Sequence, residues 1–331
     1  MRIVITGGAG FLGSRLAARL LEQGALTDAG GRRREIRRIV LLDMAPSALP
    51  ADRRLEVVVG DLHDPALIAR AVTADTDSLF HLAAVVSGQA EADFDIGMRV
   101  NLDGIRNVLD ACRAAGNVPR FVFASSVAVF GSDPAFPLPA TVRDETLPTP
   151  QSSYGIHKLI CEQLVADYTR KGFIDGRAAR LMTVSVRPGR PNGAASSFLS
   201  GIVREPLAGL PAPCPVPEDT RVALASPART IAALLAVYEC TREQFGGRTA
   251  LNLPGLSLTV GQMLDALQAV GGAKARALVR YEHDPVVARL VLGWPSAFDS
   301  ARAARLGLEP DTDFSEIVRQ YALDHPDALK L

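Results

Sequence analysis

The sequence carries no excess of charge, few cysteines and no long apolar run. Lys plus Arg and Asp plus Glu number 36 each, which argues against nucleic acid or an acidic membrane as a partner. The four cysteines lie far apart and match no metal-ligand spacing, so we expect reduced, buried thiols in a cytoplasmic protein and no metal site. No apolar run reaches the roughly 18 residues of a membrane span. No signal peptide is expected before the first strand-like segment.

What the sequence does contain is a regular alternation of strand-like and helix-length segments. With 331 residues, 48% of them hydrophobic, the chain can form one large domain with a smaller lobe. The strand-like segments are mostly continuous Val, Ile, Leu and Phe, which is typical of parallel strands buried on both faces. They cover residues 2–6, 39–43, 55–59, 78–82, 121–125 and 181–186, and helices are predicted over residues 11–23, 91–115 and 153–172. The alternation predicts an α/β fold with a doubly wound parallel sheet, the Rossmann fold.

The character of the sequence changes after about residue 189. Prolines cluster between Pro206 and Pro227, and shorter helices are predicted over residues 259–270 and 313–323. We therefore predict a first domain over residues 1–188 and a smaller C-terminal lobe over residues 189–331. The lobe is expected to cover the carboxyl ends of the strands, and parts of it can return to the sheet.

A glycine-rich loop stands between the first strand and the first helix, in the order that dinucleotide-binding proteins require. Its sequence is Thr6-Gly7-Gly8-Ala9-Gly10-Phe11-Leu12-Gly13. Gly7 permits the tight turn, Gly10 lets the backbone approach phosphate, and Gly13 lets the helix pack closely on the sheet. The first turn of the helix, with Phe11 and Leu12, offers free N–H groups and a positive dipole end to a pyrophosphate. The loop therefore predicts a dinucleotide site in the first domain.

The ends of the following strands supply the remaining cofactor-binding residues that we predict. Asp43 closes the second strand, where its carboxylate can accept hydrogen bonds from the adenosine ribose and would repel a 2′-phosphate, which favours NAD over NADP. An adenine edge is expected near the end of the third strand, and the dinucleotide is expected to run close to the backbone at the end of the fourth. The residues at these two positions are Asp61, Leu62, Leu82, Ala83 and Ala84.

A second motif, Tyr154 and Lys158, predicts the chemistry. Tyrosine has an ordinary pKa near 10, too high for a base at neutral pH, and an ammonium group one helical turn away favours the phenolate. The four-residue spacing puts both side chains on one helix face. Ser125 and Ser126 end a neighbouring strand. Ser125, Tyr154 and Lys158 are expected to contact the cofactor, and Ser126 is expected to hold the substrate oxygen. We predict that Tyr154 takes the hydroxyl proton while hydride passes to nicotinamide.

These motifs, in this order, resemble the extended short-chain dehydrogenase/reductase family, also called the NAD-dependent epimerase/dehydratase family. The resemblance covers essentially the whole chain. It implies NAD as cofactor and a homodimer built on the two long helices. It also implies that Asn101 orders the region of the catalytic lysine and that Pro188 lies by the nicotinamide carboxamide. His157, inside the tyrosine motif, is expected to be a surface histidine of the helix.

The chain departs from the family members that act on nucleotide sugars. Their Arg-x-x-Asn-x-Tyr-Gly-Pro stretch is here Arg187-Pro188-Gly189-Arg190-Pro191-Asn192-Gly193-Ala194, so Arg190 stands where their asparagine faces the substrate. Arg221 is retained without its usual aromatic and acidic neighbours, and a surface ion pair explains it equally well. The planar fork of an arginine such as Arg190 suits a small carboxylate.

Several stretches resemble a subgroup of the family that oxidises C2 of a four-carbon sugar acid with NAD, among them HLAAVVSGQAEADFDIGMRVNLDG and TPQSSYGIHK. The resemblance predicts NAD-dependent oxidation of D-erythronate, or a related small sugar acid, to its 2-oxo acid. A nucleoside-diphosphate-sugar epimerase that retains its NAD is the alternative, and a non-enzymatic scaffold is a third possibility that the intact tyrosine and lysine disfavour. The predicted substrate residues are Ser87, Gln89, Ser126, Tyr154, Thr183, Arg190, Asn192, Ser196 and Arg221, each of which could instead be satisfied within its own loop.

Overall fold

The computed structural model describes residues 1–28, 30–191 and 194–330. The strands in this part of the chain are β1 (Arg2–Thr6), β2 (Ala25–Thr27), β3 (Arg33–Glu35), β4 (Arg38–Asp43), β5 (Leu55–Val59), β6 (Thr76–His81), β7 (Arg120–Ser126), β8 (Asp175–Leu181), β9 (Thr183–Val184), β10 (Ala212–Cys214), β11 (Arg221–Ala225), β12 (Leu251–Asn252), β13 (Leu256–Thr259) and β14 (Val279–Tyr281). The helices are α1 (Phe11–Gln23), α2 (Pro65–Ala71), α3 (Ser87–Ala92), α4 (Phe94–Gly97), α5 (Gly104–Ala115), α6 (Ser153–Arg170), α7 (Phe198–Leu207), α8 (Pro227–Glu239), α9 (Arg242–Phe245), α10 (Val260–Ala277), α11 (Pro285–Leu292), α12 (Ala301–Ala304) and α13 (Phe314–Asp324).

Seven strands form one parallel sheet in the order β12-β8-β7-β6-β1-β4-β5. The side chains of β1 alternate between two cores: Ile3 and Ile5 pack with α1 and α8 on one face, and Val4 packs with α2, α5 and α6 on the other. Because both faces are covered, the strands are almost continuously apolar. The prediction of a doubly wound α/β sheet is confirmed.

The strand predicted over residues 181–186 is wrong in its bounds and in its place in the sheet, since only β9, Thr183–Val184, lies inside this range and Leu181 ends β8. The strand that lies beside β7 is β8, which carries Arg177 and Arg180 and was therefore not recognised as a buried strand. Both arginines are buried because each meets a carboxylate: Arg177 Nη1 lies 2.7 Å from Asp175, and Arg180 Nη2 lies 2.8 Å from Glu162. After β8 the chain leaves the main sheet, and β9 pairs with β11 instead.

The helix predicted over residues 91–115 is divided in the structure. Asp93 separates α3 from α4, and its carboxylate caps α4 by accepting a hydrogen bond from the Ile96 amide at 3.0 Å. A π-helical turn, Met98–Asp103, then joins α4 to α5. The helix predicted over residues 259–270 runs on to Ala277 as α10, with a break at Gly272 where φ is +79°.

The C-terminal part of the chain builds its own core and also adds to the main sheet. The helices α7, α10, α11 and α13 pack around a separate apolar cluster with the small sheets β13-β11-β9 and β10-β14. Strand β12 pairs with β8, and α8 packs on the main sheet. Within the described residues, no helix is both long and apolar enough to cross a membrane.

Candidate active-site cleft

A cleft of about 650 Å³ opens at the carboxyl ends of β1, β4, β6 and β7. Its floor is the glycine-rich loop and its middle is the start of α6. Its far wall comes from the C-terminal part of the chain, with Leu290 and Val291 of α11 and the sole tryptophan, Trp294. Ligands of open parallel sheets bind at this edge, where the strand order reverses.

The glycine loop is held close to two neighbouring segments. Gly7 has φ +69° and its amide donates to Leu42 O at 2.9 Å. A Cβ on Gly7 would lie 2.7 Å from the Ala83 amide nitrogen, and one on Gly13 would lie 2.1 Å from Gly7 O, so side chains are excluded at both positions. Among the residues that the structure describes, no side chain caps α1, whose N-cap is Gly10, so its first amides remain available to a pyrophosphate.

Asp43 both fixes the glycine loop and faces the cleft. One carboxylate oxygen accepts a hydrogen bond from the Ala9 amide at 2.9 Å, and the other accepts one from the Ala45 amide at 3.1 Å. Each carboxylate oxygen can accept a further hydrogen bond, so a ribose diol fits beside Asp43. The glycine loop, which presents backbone without side chains, and the acidic side chain of Asp43 together suit NAD.

The other residues predicted to bind the cofactor mostly line the same cleft. Asp61, Leu62, Leu82, Ala83, Ala84, Ser125, Phe11 and Leu12 are all part of its wall. Two predicted residues lie outside that wall: Asn101 and Pro188. Asn101 is buried, and its amide group binds Val85 twice, accepting from its N–H at 2.9 Å and donating to its carbonyl at 3.2 Å. It therefore acts on the loop after β6 and contributes no surface to the cleft.

Ser126, Tyr154 and Lys158 line the cleft together. The Lys158 ammonium donates to Ala124 O at 2.8 Å and lies 5.5 Å from the centre of the Tyr154 ring. The Ser126 hydroxyl oxygen accepts from the Ala128 amide at 3.1 Å, which leaves its own proton available to donate. These three side chains come from the end of β7 and the first two turns of α6.

The predicted substrate residues fall into two groups. Ser87, Thr183, Ser196 and Arg221 line the cleft. Gln89 and Arg190 are exposed and do not line it. Asn192 lies outside the described residues. Ser185, two residues after Thr183, is fully buried and donates its hydroxyl proton to Leu199 O at 3.0 Å.

The arginine in the cleft wall near Tyr154 is Arg187, to which the sequence analysis gave no role. The sequence pattern indicates Arg190 instead, because that position differs from the family pattern. Arg99 and the segment around Trp294 were also missed. No local pattern could have found the latter, because it reaches the cleft only through the packing of α11 far along the chain.

His157 is buried, so its prediction as a surface residue is wrong. Its ring lies against Phe94, and its Nδ1 is 3.5 Å from the Asn101 amide nitrogen. Burial lowers the pKa of His157, so the imidazole stays neutral at physiological pH.

The glycine loop and the tyrosine–lysine helix meet at one edge of the parallel sheet, an arrangement that defines the chain as a short-chain dehydrogenase/reductase. The chain belongs to the NAD dependent epimerase/dehydratase family, whose model matches residues 3–222. It is an NAD-dependent oxidoreductase.

Two curated relatives match almost the whole chain. It is 51% identical to the D-erythronate dehydrogenase of Cupriavidus necator over 325 residues, 98% of both chains. It is 41% identical to the D-erythronate dehydrogenase of Haemophilus influenzae over 322 residues, 97% of this chain and 98% of that protein. A crystal structure described as the nucleoside-diphosphate-sugar epimerase from Agrobacterium tumefaciens is 43% identical, with a TM-score of 0.89 over 99% of this chain and 95% of that one.

Proposed function

We propose that this protein oxidises the C2 hydroxyl of a small sugar acid, D-erythronate, to the 2-oxo acid with NAD. The observation that carries the proposal is the placing of Tyr154, Lys158 and Ser126 in one cleft with the glycine loop. Identity of 51% over nearly the full length to a D-erythronate dehydrogenase supports the choice of substrate.

In the proposed reaction, each of the three side chains has one role. Ser126 donates a hydrogen bond to the substrate hydroxyl oxygen and orients it. Tyr154 removes the hydroxyl proton as general base. Lys158, held by Ala124 O, places its ammonium group beside the ring and favours the phenolate, which is the form of Tyr154 that accepts the proton. NAD, when bound, supplies the hydride acceptor.

The alternative is a nucleoside-diphosphate-sugar epimerase, which the name of the Agrobacterium tumefaciens structure favours. An epimerase returns the hydride to its substrate and therefore releases no NADH. Release of NADH therefore distinguishes the dehydrogenase from the epimerase in a single assay.

The test is NADH formation by the purified protein with NAD and a panel of four- to six-carbon sugar acids, beginning with D-erythronate. Steady growth of NADH absorbance with an acid is the expected result, and its rate ranks the substrates. A flat trace with every acid, together with interconversion of a nucleotide sugar at constant NAD, would replace the dehydrogenase by the epimerase.

We further propose a homodimer, with residues 1–188 binding NAD and residues 189–331 forming a smaller substrate-binding lobe. Four apolar side chains stand exposed on neighbouring elements, and burial in a second copy would remove them from water: Phe94, Met98, Ile156 and Ile160. Light scattering of the purified protein tests this, and a monomeric mass would reject it. The four cysteines are free and buried, as suits the reducing cytoplasm where we place the reaction.

A further inference from the structure

Within the described part of the chain, Arg187 has no acidic partner, in contrast to four other inward-facing arginines. Arg120, Arg177, Arg180 and Arg204 each have a nitrogen within 3.0 Å of a carboxylate. Among residues 1–28, 30–191 and 194–330, no carboxylate forms an ion pair with Arg187. Arg187 is half-buried, and a cation partly withdrawn from water without a counter-charge is unfavourable, so a site of this kind suits an anion from outside the chain.

Within the described residues, hydrogen bonds hold the backbone and the Nε of Arg187, while its two terminal nitrogens stay available to a ligand. Its amide donates to Ser200 Oγ at 3.0 Å, and its carbonyl accepts from Arg204 Nη1 at 2.8 Å. Its Nε donates to Val184 O at 3.2 Å. In the described part of the chain, neither terminal nitrogen of the guanidinium donates to a protein acceptor. The two terminal nitrogens can therefore donate hydrogen bonds to a ligand in the cleft that Arg187 lines.

The guanidinium also lies in the electrostatic field of the proposed base. Burial lowers the pKa of Arg187, and the smaller opposing effect comes from the Tyr154 phenol. Arg187, Tyr154 and Thr183 all line the same cleft. By contrast, Arg99 and Arg221 line the cleft as exposed side chains, where water screens their charge.

We propose that Arg187 binds the substrate carboxylate through its two terminal nitrogens, and that its place beside Tyr154 selects acids whose reacting hydroxyl is on the carbon next to the carboxylate. The proposal rests on the proposed function and deepens it. In a 2-hydroxy acid, one C–C bond separates the carboxylate carbon from the carbon that bears the hydroxyl. The proposal therefore expects the C2 hydroxyl, and not a C3 hydroxyl, to meet the phenol oxygen when the carboxylate binds Arg187.

The first experiment measures binding of oxalate, a probe that cannot be oxidised here, to the complex of the protein with NAD. Calorimetry compares the wild type with Arg187→Met and Arg187→Lys, and Arg190→Met serves as the matched control because Arg190 is exposed and outside the cleft wall. We expect Arg187→Met to weaken oxalate binding on the order of 30-fold or more, because the carboxylate loses a charged, hydrogen-bonded partner. NAD affinity and the melting temperature should stay at the wild-type values. Arg187→Lys should keep part of the affinity, since it keeps the charge but loses the fork.

A second measurement needs no variant and applies if Arg187→Met fails to fold. The wild-type complex with NADH is titrated with 2-hydroxybutyrate and with 3-hydroxybutyrate, which differ only in the position of the hydroxyl. Tighter binding of the 2-hydroxy acid is expected. Equal or tighter binding of the 3-hydroxy acid would overturn the proposed selection.

The outcomes separate this proposal from the proposed function. Loss of oxalate binding in Arg187→Met without turnover of D-erythronate by the wild type would keep the carboxylate site and reject the substrate. Turnover of D-erythronate with oxalate binding that is indifferent to Arg187, or absent from the wild type, would overturn the site. If Arg221→Met or Arg99→Met removed the affinity instead, the carboxylate would bind at the rim of the cleft and Arg187 would be excluded.

Discussion

Arg180 and Glu162 form a two-point ion pair between the sheet and the helix that carries the proposed base. Arg180 Nε lies 2.9 Å from Glu162 Oε1, and Nη2 lies 2.8 Å from Oε2, with both side chains almost completely buried. Glu162 Oε1 also accepts the Ser125 hydroxyl proton at 2.6 Å. Since Glu162 follows Lys158 by one helical turn, the pair holds the helix in register with the strand end that bears Ser126.

The first prediction concerns this pair. Glu162→Ala leaves the Arg180 guanidinium buried without its counter-charge, so we expect the free energy of unfolding to fall by about 3–5 kcal/mol. Urea denaturation measures it. The matched control is Asp167→Ala on the same helix, which breaks an exposed pair with Arg170 and should cost less than about 1 kcal/mol. Equal losses in the two variants would contradict the role assigned to the buried pair.

The second prediction concerns the base. Tyr154→Phe removes only the phenol oxygen, so turnover should fall by about 100- to 10,000-fold. NAD affinity should persist, because the glycine loop and Asp43 are untouched. NADH formation and calorimetric titration with NAD measure the two quantities. The control is Tyr168→Phe on the same helix, which should keep its activity. The Tyr168 hydroxyl donates to Asp110 and lies away from the cleft. Retained activity in Tyr154→Phe would reject Tyr154 as base.

The third prediction concerns the choice of cofactor. Asp43→Ser removes the negative charge that faces the ribose, so the ratio of kcat/KM for NADP to that for NAD should rise. The change is expected to come mainly from weaker NAD binding, since the Ala9 amide also loses its carboxylate acceptor. Steady-state rates with both cofactors measure the ratio. An unchanged ratio would mean that another group discriminates against the 2′-phosphate; Asp61→Ser would then test the next strand end.

Much of the site could be predicted because its signals are local in the sequence. The glycine loop and the Tyr154–Lys158 spacing each lie within one strand–helix unit, and parallel strands bring their carboxyl ends to one edge. Most of the predicted cofactor residues therefore lie in the wall of one cleft. Their roles remain predictions for the experiments above.

What the sequence could not reveal depends on distant partners. Strand β8 was missed because its arginines look exposed until the carboxylates of Asp175 and Glu162 are placed beside them. Arg187 and Arg190 stand three residues apart, and only the fold decides that the first lines the cleft and the second is exposed. Trp294 reaches the cleft through the packing of α11, which no spacing near the motifs encodes.

The fourth prediction concerns the close approach of α1 to the glycine loop. In Gly13→Ala, the new Cβ would meet Gly7 O at 2.1 Å, so the loop must shift. We expect a loss of about 1–3 kcal/mol in stability and weaker NAD binding, measured by urea denaturation and calorimetry. The control is Gly201→Ala in α7, where the nearest atom is a Glu205 carboxylate oxygen at 3.5 Å. That change should stabilise the helix by about 0.5–1 kcal/mol, and the same loss in both variants would contradict the close approach.

The last prediction concerns pH and His81, which is buried in the sheet at the end of β6. Burial, with a smaller effect of the Lys158 charge, lowers the pKa of His81 from an ordinary value near 6.5 to about 3. Its Nδ1 lies 2.8 Å from Thr6 Oγ1, a bond that suits a neutral ring. Below pH 6.5 the unfolded chain therefore takes up a proton that the folded chain does not bind, and unfolding becomes more favourable.

The contribution of His81 to stability should thus be fully present above pH 6.5 and should be lost as the pH falls towards 3. Urea denaturation at a series of pH values measures the slope. His81→Gln removes the titrating group and should flatten the slope over this window, whatever its effect at neutral pH. His63→Gln, which changes an exposed histidine, should leave the slope as in the wild type. If His81→Gln and the wild type lost stability with the same slope, the acid sensitivity would belong to carboxylates, and His81 would have to be charged in the folded protein.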